Sequence, residues 1–244
     1  MANWSDPRPA ATQTAGRAGT SEVAFDAGLR SYMLSVYNYM ASGVLLTGIV
    51  ALLFANSGMA AQVFGSPGIR KWVIMLSPLA IVMVLSFGVN RLSEPAAKAL
   101  YWGYAVLMGL SLSTIFLAYT GTSIATTFFA SAAAFGGLSL YGYTTKRDLS
   151  VFGTFLIMGL VGLIVASLIN LFMQSSAMSL VISFIGVLLF AGLTAYDTQK
   201  IKSMYFAVAG SDFYGKSVVM GALTLYLDFI NLFLFLLRFM GDRR

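Results

Sequence analysis

Four long runs without any Lys, Arg, Asp or Glu are the feature that most constrains the fold of this chain. They cover residues 31–69, 72–90, 99–145 and 149–196. A helix that crosses a bilayer needs about 20 apolar residues, so each of the two longer runs holds two such helices and a tight turn. Gly121 marks the first turn and the Gln-Ser-Ser segment 174–176 marks the second. Such runs are too long for the core of a soluble domain.

Composition agrees with a membrane protein. Only 10% of the residues are charged and 58% are hydrophobic, whereas soluble chains carry about 25% charged residues. The sequence therefore predicts an all-α polytopic membrane protein, a bundle of seven transmembrane helices within residues 31–244. The predicted spans are 32–54, 72–89, 99–119, 124–143, 151–171, 180–204 and 218–239. Residues 1–30 are predicted to form a disordered cytosolic tail, since they lack the apolar core of a signal peptide.

The distribution of basic residues predicts the orientation. With a cytoplasmic N-terminus, the inner segments hold Arg8, Arg17, Arg30, Arg91, Lys98, Lys146, Arg147, Lys200, Lys202 and Lys216. The outer segments hold only Arg70, Lys71, Arg238, Arg243 and Arg244. This bias favours a cytoplasmic N-terminus by the positive-inside rule. The three C-terminal arginines argue the other way, and the alternative is a last segment that does not cross the membrane. The bias also explains the net charge of +6 without a nucleic-acid partner. The expected location is the lipid bilayer of a bacterial inner membrane.

Two aspartates lie inside predicted spans, although the chain has only nine acidic residues. An ionisable group there costs a few kcal/mol on insertion scales, and such groups usually serve a function. Asp197 is predicted in the inner half of the membrane and Asp228 near its middle. Because their helices are consecutive and antiparallel, the two carboxyls can meet. The other interpretation is that Asp197 pairs with Lys200 on the same helix face.

Two neighbouring carboxyls in a low dielectric titrate together and can share one proton at low pH. When deprotonated, they offer hard oxygen ligands of the kind that calcium prefers. The chain has neither His nor Cys, so the usual pH-sensing side chain and the usual zinc ligands are absent. We therefore predict a proton- and calcium-sensitive site at Asp197 and Asp228, and no tightly bound cofactor.

Three further residues are candidates for this site. Arg91 ends the second predicted span on the inner side, where its guanidinium could latch a carboxylate and release it on protonation. The alternative for Arg91 is a membrane-interface arginine that extends to the lipid headgroups. Tyr196 precedes the first aspartate, and Asn231 lies on the face of Asp228 at a spacing of three residues. Both are predicted to support the pair.

At these residues the chain resembles the transmembrane Bax inhibitor motif family, also called the Bax inhibitor or YccA-like family. The resemblance is carried by FAGLTAYDTQKIKSMY (190–205), LYLDFINLFLFLLR (225–238) and GYAVLMGLSLSTIF (103–116). It implies a seven-helix bundle with the last helix near the centre. It also implies a pH-sensitive calcium leak, with Asp197 and Asp228 as the sensor and Arg91 as the latch. The connection over residues 200–217 is long for this family and could alter access to the pair.

The sequence also bears on functions other than a leak channel. Family members also modulate membrane proteases or cell-death machinery, so a regulator that binds another membrane protein is the second reading. An intramembrane aspartyl protease is disfavoured, because its motif needs glycines where this chain has Leu225 and Leu227. A serine–histidine protease needs a histidine. We therefore expect a channel with no catalytic residues, not an enzyme.

Overall fold

In the computed structural model the backbone is described for residues 11–244 and the side chains for residues 26–244. The helices are α1 Ala11–Asn56, α2 Met59–Gly65, α3 Ile69–Gly88, α4 Glu94–Leu112, α5 Thr114–Ala118, α6 Gly121–Thr144, α7 Ser150–Met173, α8 Ser176–Val208 and α9 Tyr214–Met240. Several begin at a hydroxyl cap, as expected from the unpaired N–H groups of a first turn. Ser93, Thr120 and Ser175 accept such N–H groups at the starts of α4, α6 and α8.

The predicted seven-helix membrane architecture is confirmed, since seven helical segments are long and apolar enough to cross a bilayer. The third span is made of α4 and α5, which meet at Ser113. There the hydroxyls of Ser113 and Thr114 donate to the carbonyls of Leu110 and Ser111. Such side-chain hydrogen bonds compete with the backbone hydrogen bonds of a helix and can bend or interrupt it. The short helix α2 was not predicted, because it lies within the charge-free run that also holds the first span.

The last helix lies at the centre of the bundle, as the family resemblance implies. Of the most apolar window of α9, 67% is buried within the protein, against 11% for α3 and for α7. Helix α9 packs against α1, α4, α6 and α8. Helices α3 and α7 are peripheral and present most of their surface outward. A helix that is apolar on all sides can occupy either place, so hydropathy alone does not assign the centre.

The two ends of the bundle differ in charge. Lys216 Nζ donates to the carbonyl of Leu92 at 3.3 Å, and Lys202 Nζ donates to that of Tyr143 at 2.8 Å. These bonds place the α3–α4, α6–α7 and α8–α9 connections at one end, where eight of the described basic residues also lie: Arg30, Arg91, Lys98, Lys146, Arg147, Lys200, Lys202 and Lys216. Arg8 and Arg17 lie outside the residues with described side chains. Of the predicted disordered tail, residues 11–30 belong to α1, and residues 1–10 lie outside the described residues.

The C-terminus lies at the opposite end. Its residues run beside the α5–α6 connection, where Arg244 N donates to Ala118 O at 3.0 Å and Asp242 N donates to Ser123 Oγ at 2.9 Å. Helix α9 therefore spans the full height of the bundle, and its C-terminal arginines belong to the less basic end.

The connection between the last two helices is short. The sequence predicts a long connection over residues 200–217, but α8 continues to Val208 and α9 begins at Tyr214. Most of that length is therefore helix, which extends both elements beyond the two aspartates. Buried Tyr205 and Val208 pack this extension onto the core.

Candidate functional site

The structure brings Asp197 and Asp228 together. Asp197 lies eleven residues before the end of α8 and Asp228 fourteen residues after the start of α9, or about 17 and 21 Å from the same end of the bundle at 1.5 Å per residue. The helices are antiparallel neighbours, so the residues face each other at nearly the same depth. Asp197 is 9% exposed and Asp228 is 4% exposed. Their carboxyls lie within hydrogen-bonding reach of each other.

The polar groups around the pair are occupied elsewhere. Thr194 and Thr198 donate their hydroxyls to carbonyls one turn back on α8, and Thr224 does the same on α9. Asn231 Nδ2 donates to Leu227 O at 2.8 Å. Within the described part of the chain, Asp228 Oδ2 is buried without a hydrogen-bond partner. Since an unpaired buried carboxylate is costly, this oxygen needs a proton, a cation or water.

Lys200 is the nearest described base in the sequence, but it does not form an ion pair with Asp197 among the described residues. Its Nζ lies 6.0 Å from the centre of the Tyr196 ring. The ammonium acts on Asp197 only through its longer-range electric field. The alternative in which these two residues neutralise each other is therefore not what the structure shows. Asp197 thus experiences both the charge of Lys200 and the neighbouring carboxyl of Asp228.

Arg91 is not part of this arrangement. It is exposed beyond the end of α3, its backbone N–H donates to Gly88 O at 2.9 Å, and α3 packs against α4. Among the described residues, no ion pair joins its guanidinium to either aspartate. A latch formed by Arg91 in another conformation stays a prediction.

The carboxyl pair forms the floor of a lateral opening of about 730 Å³, which we call the aspartate crevice. Its outer wall is the apolar face of α7, and its other walls are α8 and α9. The polar residues that line it are Ser167, Tyr196, Asp197, Lys200, Thr224, Asp228 and Asn231. Tyr196 and Asn231 thus lie where the sequence predicted, beside the pair.

A second lateral opening, about 620 Å³ in volume, lies between α1 and α6, and we call it the hydroxyl crevice. Tyr37, Ser139 and Thr198 form a hydrogen-bond chain beside it. The Tyr37 and Ser139 oxygens are 2.6 Å apart, the Ser139 and Thr198 oxygens 2.9 Å apart, and Thr198 donates to Thr194 O at 2.7 Å. Sequence analysis missed this chain, since isolated hydroxyl residues in apolar helices carry no recognisable spacing.

The site does not contain a complete metal-binding set. Among the described residues, no group of three or more His, Cys, Asp or Glu side chains could hold a metal ion. Calcium normally takes six to eight oxygen ligands. Two carboxyls, the amide oxygen of Asn231 and water would give only part of such a set.

The fold and the site together define a class, that of a seven-helix membrane protein with a buried carboxyl pair on its last two helices. Residues 29–244 match the family described as "Inhibitor of apoptosis-promoting Bax1". The chain belongs to this Bax inhibitor family, and the predicted resemblance is thereby confirmed.

Three bacterial proteins are similar to about nine tenths of the chain. The "Uncharacterized protein RP147" of Rickettsia prowazekii is 52% identical over 221 residues, which cover 90% of this chain and 93% of the relative. Inner membrane protein YbhL of Escherichia coli is 48% identical over 220 residues, 89% of this chain and 94% of the relative. "Uncharacterized membrane protein SpyM3_0260" of Streptococcus pyogenes is 41% identical over 219 residues, 88% and 94% of the two chains.

Proposed function

We propose that this protein is a pH-sensitive cation leak channel, with calcium as the transported ion and the Asp197–Asp228 pair as the gate. The observation that carries the proposal is the pair itself: two buried carboxyls within reach of each other, one oxygen of which has no partner among the described residues. A purely structural pair would be expected to have its oxygens satisfied by protein donors.

The gating argument rests on the proton. With one shared proton, the two carboxyls are held together by a hydrogen bond and carry a single negative charge. Without it, two like charges face each other in a low dielectric, which favours separation of the helices and entry of water and cations. Deprotonation should therefore open the crevice as the pH rises. A gate whose states differ by a few kcal/mol responds strongly to such a change.

The proposed setting is a bacterial inner membrane with the N-terminus in the cytoplasm. The relative YbhL is named as an inner membrane protein, and the basic end of this bundle fits the cytoplasmic face by the positive-inside rule. On this orientation, the aspartate crevice runs from Lys200 near the cytoplasmic side, past the carboxyl pair, to Leu171 and Phe235 beyond the middle of the bundle.

Calcium flux into dye-loaded proteoliposomes tests the proposal. We expect flux through the wild type to rise between pH 6 and pH 8. The Asp228→Asn and Asp197→Asn variants should lose most of this pH response, because an amide cannot exchange the gating proton. Asp212→Asn is the matched control, since Asp212 is an exposed acid in the α8–α9 connection, and its pH response should stay that of the wild type.

Absence of flux at any pH, from protein that is folded by its unfolding transition, would overturn the channel proposal. The second candidate is a regulator that binds a membrane protease or another membrane protein, which the family description as an inhibitor favours. Removal of residues 2–25 separates the two functions. Loss of partner regulation with an unchanged leak would show that the N-terminal segment binds the partner and that the aspartates control the ion leak.

A further inference from the structure

Three cationic side chains lie together at the inner end of the aspartate crevice. Lys146 and Arg147 belong to the α6–α7 connection and Lys200 belongs to α8, and all three are exposed. They line a cavity of about 310 Å³, which we call the basic cradle. No ion pair neutralises any of them within the described residues. Asp148 also lines the cradle. With three positive side chains and one negative side chain, the cradle has a net positive charge that favours an anion.

The basic cradle is held in place by the protein itself. Gln199 Nε2 donates to Arg147 O at 2.8 Å, and Gln199 Oε1 accepts from Leu149 N at 2.8 Å. These two bonds fix the connection against α8, so that Lys146 and Arg147 stay beside Lys200. The Asp148 carboxylate accepts hydrogen bonds from the Ser150 hydroxyl and from the Ser150 N–H, the latter at 2.8 Å, and these two bonds lower the pKa of that carboxyl. The acid is thus turned toward the start of α7.

The cradle and the crevice are continuous. Tyr196 and Lys200 line both of them. Beyond these residues the crevice is walled by exposed apolar side chains of α7, among them Ile157, Ile164 and Leu168. A charged opening at the membrane interface thus leads into a crevice whose outer wall, formed by α7, is apolar at hydrocarbon depth. A molecule with an anionic head and a hydrocarbon tail matches both parts.

We propose that the basic cradle and the aspartate crevice together bind one anionic phospholipid. Its phosphate lies among Lys146, Arg147 and Lys200, and one acyl chain lies along α7 over the carboxyl pair. Anionic lipids of the cytoplasmic leaflet are attracted by basic groups at the interface. A lipid in this position would cover Asp197 and Asp228 and would neutralise Lys200, so it would keep the leak closed. That last consequence rests on the proposed function, whereas the binding site does not.

The hydroxyl crevice supplies an internal comparison. It is similar in volume and also apolar, but Arg30 is the one described cation that lines it. If lipid merely fills any lateral opening, the two crevices should take up anionic and neutral lipid alike. If the basic cradle selects the lipid, only the aspartate crevice should prefer the anionic one.

Site-specific fluorescence quenching tests this preference, and the chain has no cysteine to interfere with labelling. Ile164→Cys places a bimane label in the aspartate crevice, and Leu140→Cys places it in the hydroxyl crevice. Each labelled protein is reconstituted in phosphatidylcholine with increasing fractions of phosphatidylglycerol that carries brominated acyl chains. We expect quenching at position 164 to saturate at a low fraction and quenching at position 140 to rise in proportion to the fraction. Equal curves at the two positions would overturn the proposal.

Removal of the cradle's charge tests the assignment of the headgroup. In the Ile164→Cys protein, each of Lys146→Gln, Arg147→Gln and Lys200→Gln should raise the phosphatidylglycerol fraction at half-maximal quenching about fivefold. Lys71→Gln, at the opposite end of the bundle, is the matched control and should leave it unchanged. An unchanged half-maximal fraction in all three cradle variants would overturn the site.

The source of the phosphate is decided in the same assay. Glycerol 3-phosphate carries the headgroup chemistry without a tail, and at millimolar concentration it should not reverse the quenching. Reversal would overturn the lipid proposal in favour of a soluble phosphate site. Because these readouts measure no ion flux, their result is independent of whether the protein conducts calcium.

Discussion

The two lateral crevices differ in how their buried polar groups are satisfied. Beside the hydroxyl crevice, Thr198 donates its hydroxyl proton to the carbonyl of Thr194. It must therefore accept from Ser139, and Ser139 must in turn accept from Tyr37. Each of these three hydroxyls therefore has a hydrogen-bond partner. In the aspartate crevice, the two carboxyls have each other and one oxygen of Asp228 has no partner among the described residues.

This difference separates a structural network from a responsive one. A hydroxyl is both donor and acceptor, so a chain of hydroxyls can end on a carbonyl and be complete without any outside species. An ionised carboxylate only accepts, so two of them cannot satisfy each other unless a proton or a cation is added. The hydroxyl crevice should therefore be stable and insensitive to pH, and the aspartate crevice should be sensitive.

The walls of the two crevices also differ in how rigidly they are held. A Cβ at Gly142 of α6 would collide with the backbone of Ala195, so α6 and α8 touch main chain to main chain. The atoms nearest to a Cβ at Gly159 of α7 would all belong to the side chain of Leu189. The wall of the hydroxyl crevice is thus fixed by backbone contact, whereas the wall of the aspartate crevice rests on side chains that can shift.

The largest effect is expected when a carboxyl is moved into the hydroxyl crevice. Ser139 is 3% exposed, and Ser139→Asp would place an acid there without a second carboxyl. We expect a loss of about 3–5 kcal/mol in the free energy of unfolding, as for an unpaired buried charge. The loss should be smaller at pH 5 than at pH 8, because the protonated acid is neutral. Unfolding in mixed micelles measures both values, with Ser139→Asn as the uncharged control.

The reverse experiment removes the carboxyls from the aspartate crevice. The double variant Asp197→Leu/Asp228→Leu should keep or raise the free energy of unfolding, by up to about 4 kcal/mol, since apolar residues often replace buried charges at no cost. The same variant should lose the pH-dependent leak. A large loss of stability would instead mean that the pair is a structural element, and the contrast between the two crevices would fail.

The walls can be compared by adding a single methyl group to each. Gly142→Ala should lower the free energy of unfolding by about 2 kcal/mol, because the backbone of α8 must move. Gly159→Ala should cost less, since the Leu189 side chain can change its rotamer. Gly136→Ala is the control, as a Cβ there meets nothing within 4 Å. Equal losses at Gly142 and Gly159 would remove the distinction between a fixed and a yielding wall.

The smallest effect is expected from one break in the hydroxyl chain. Thr198→Val removes the oxygen that accepts from Ser139 and should cost about 1 kcal/mol of unfolding free energy. It should leave the pH response of the calcium leak unchanged, although Thr198 directly follows Asp197. A pH response that changes with Thr198→Val would show that the two crevices are coupled through α8.

Much of this molecule was predictable because the bilayer restricts what a chain can do. Backbone groups in lipid must be paired within the segment, so charge-free apolar runs have to become helices. The seven spans and the special status of Asp197 and Asp228 follow from that restriction. The break at Ser113 and the helix α2 did not, since helix ends within an uncharged run depend on local capping and packing.

The sequence by itself determined the membrane class, the seven membrane spans and the two acidic residues whose presence at membrane depth costs free energy. The family resemblance also implied the central place of α9. Only the tertiary structure decided that the carboxyls meet at nearly the same depth, and that Lys200 forms no ion pair with Asp197 among the described residues but lines one cavity with Lys146 and Arg147. The physical reason is that hydropathy depends on each residue's own chemistry, whereas contact between side chains depends on the rotation and height of each helix. Those two quantities are fixed by packing, as where α6 approaches α8 at Gly142.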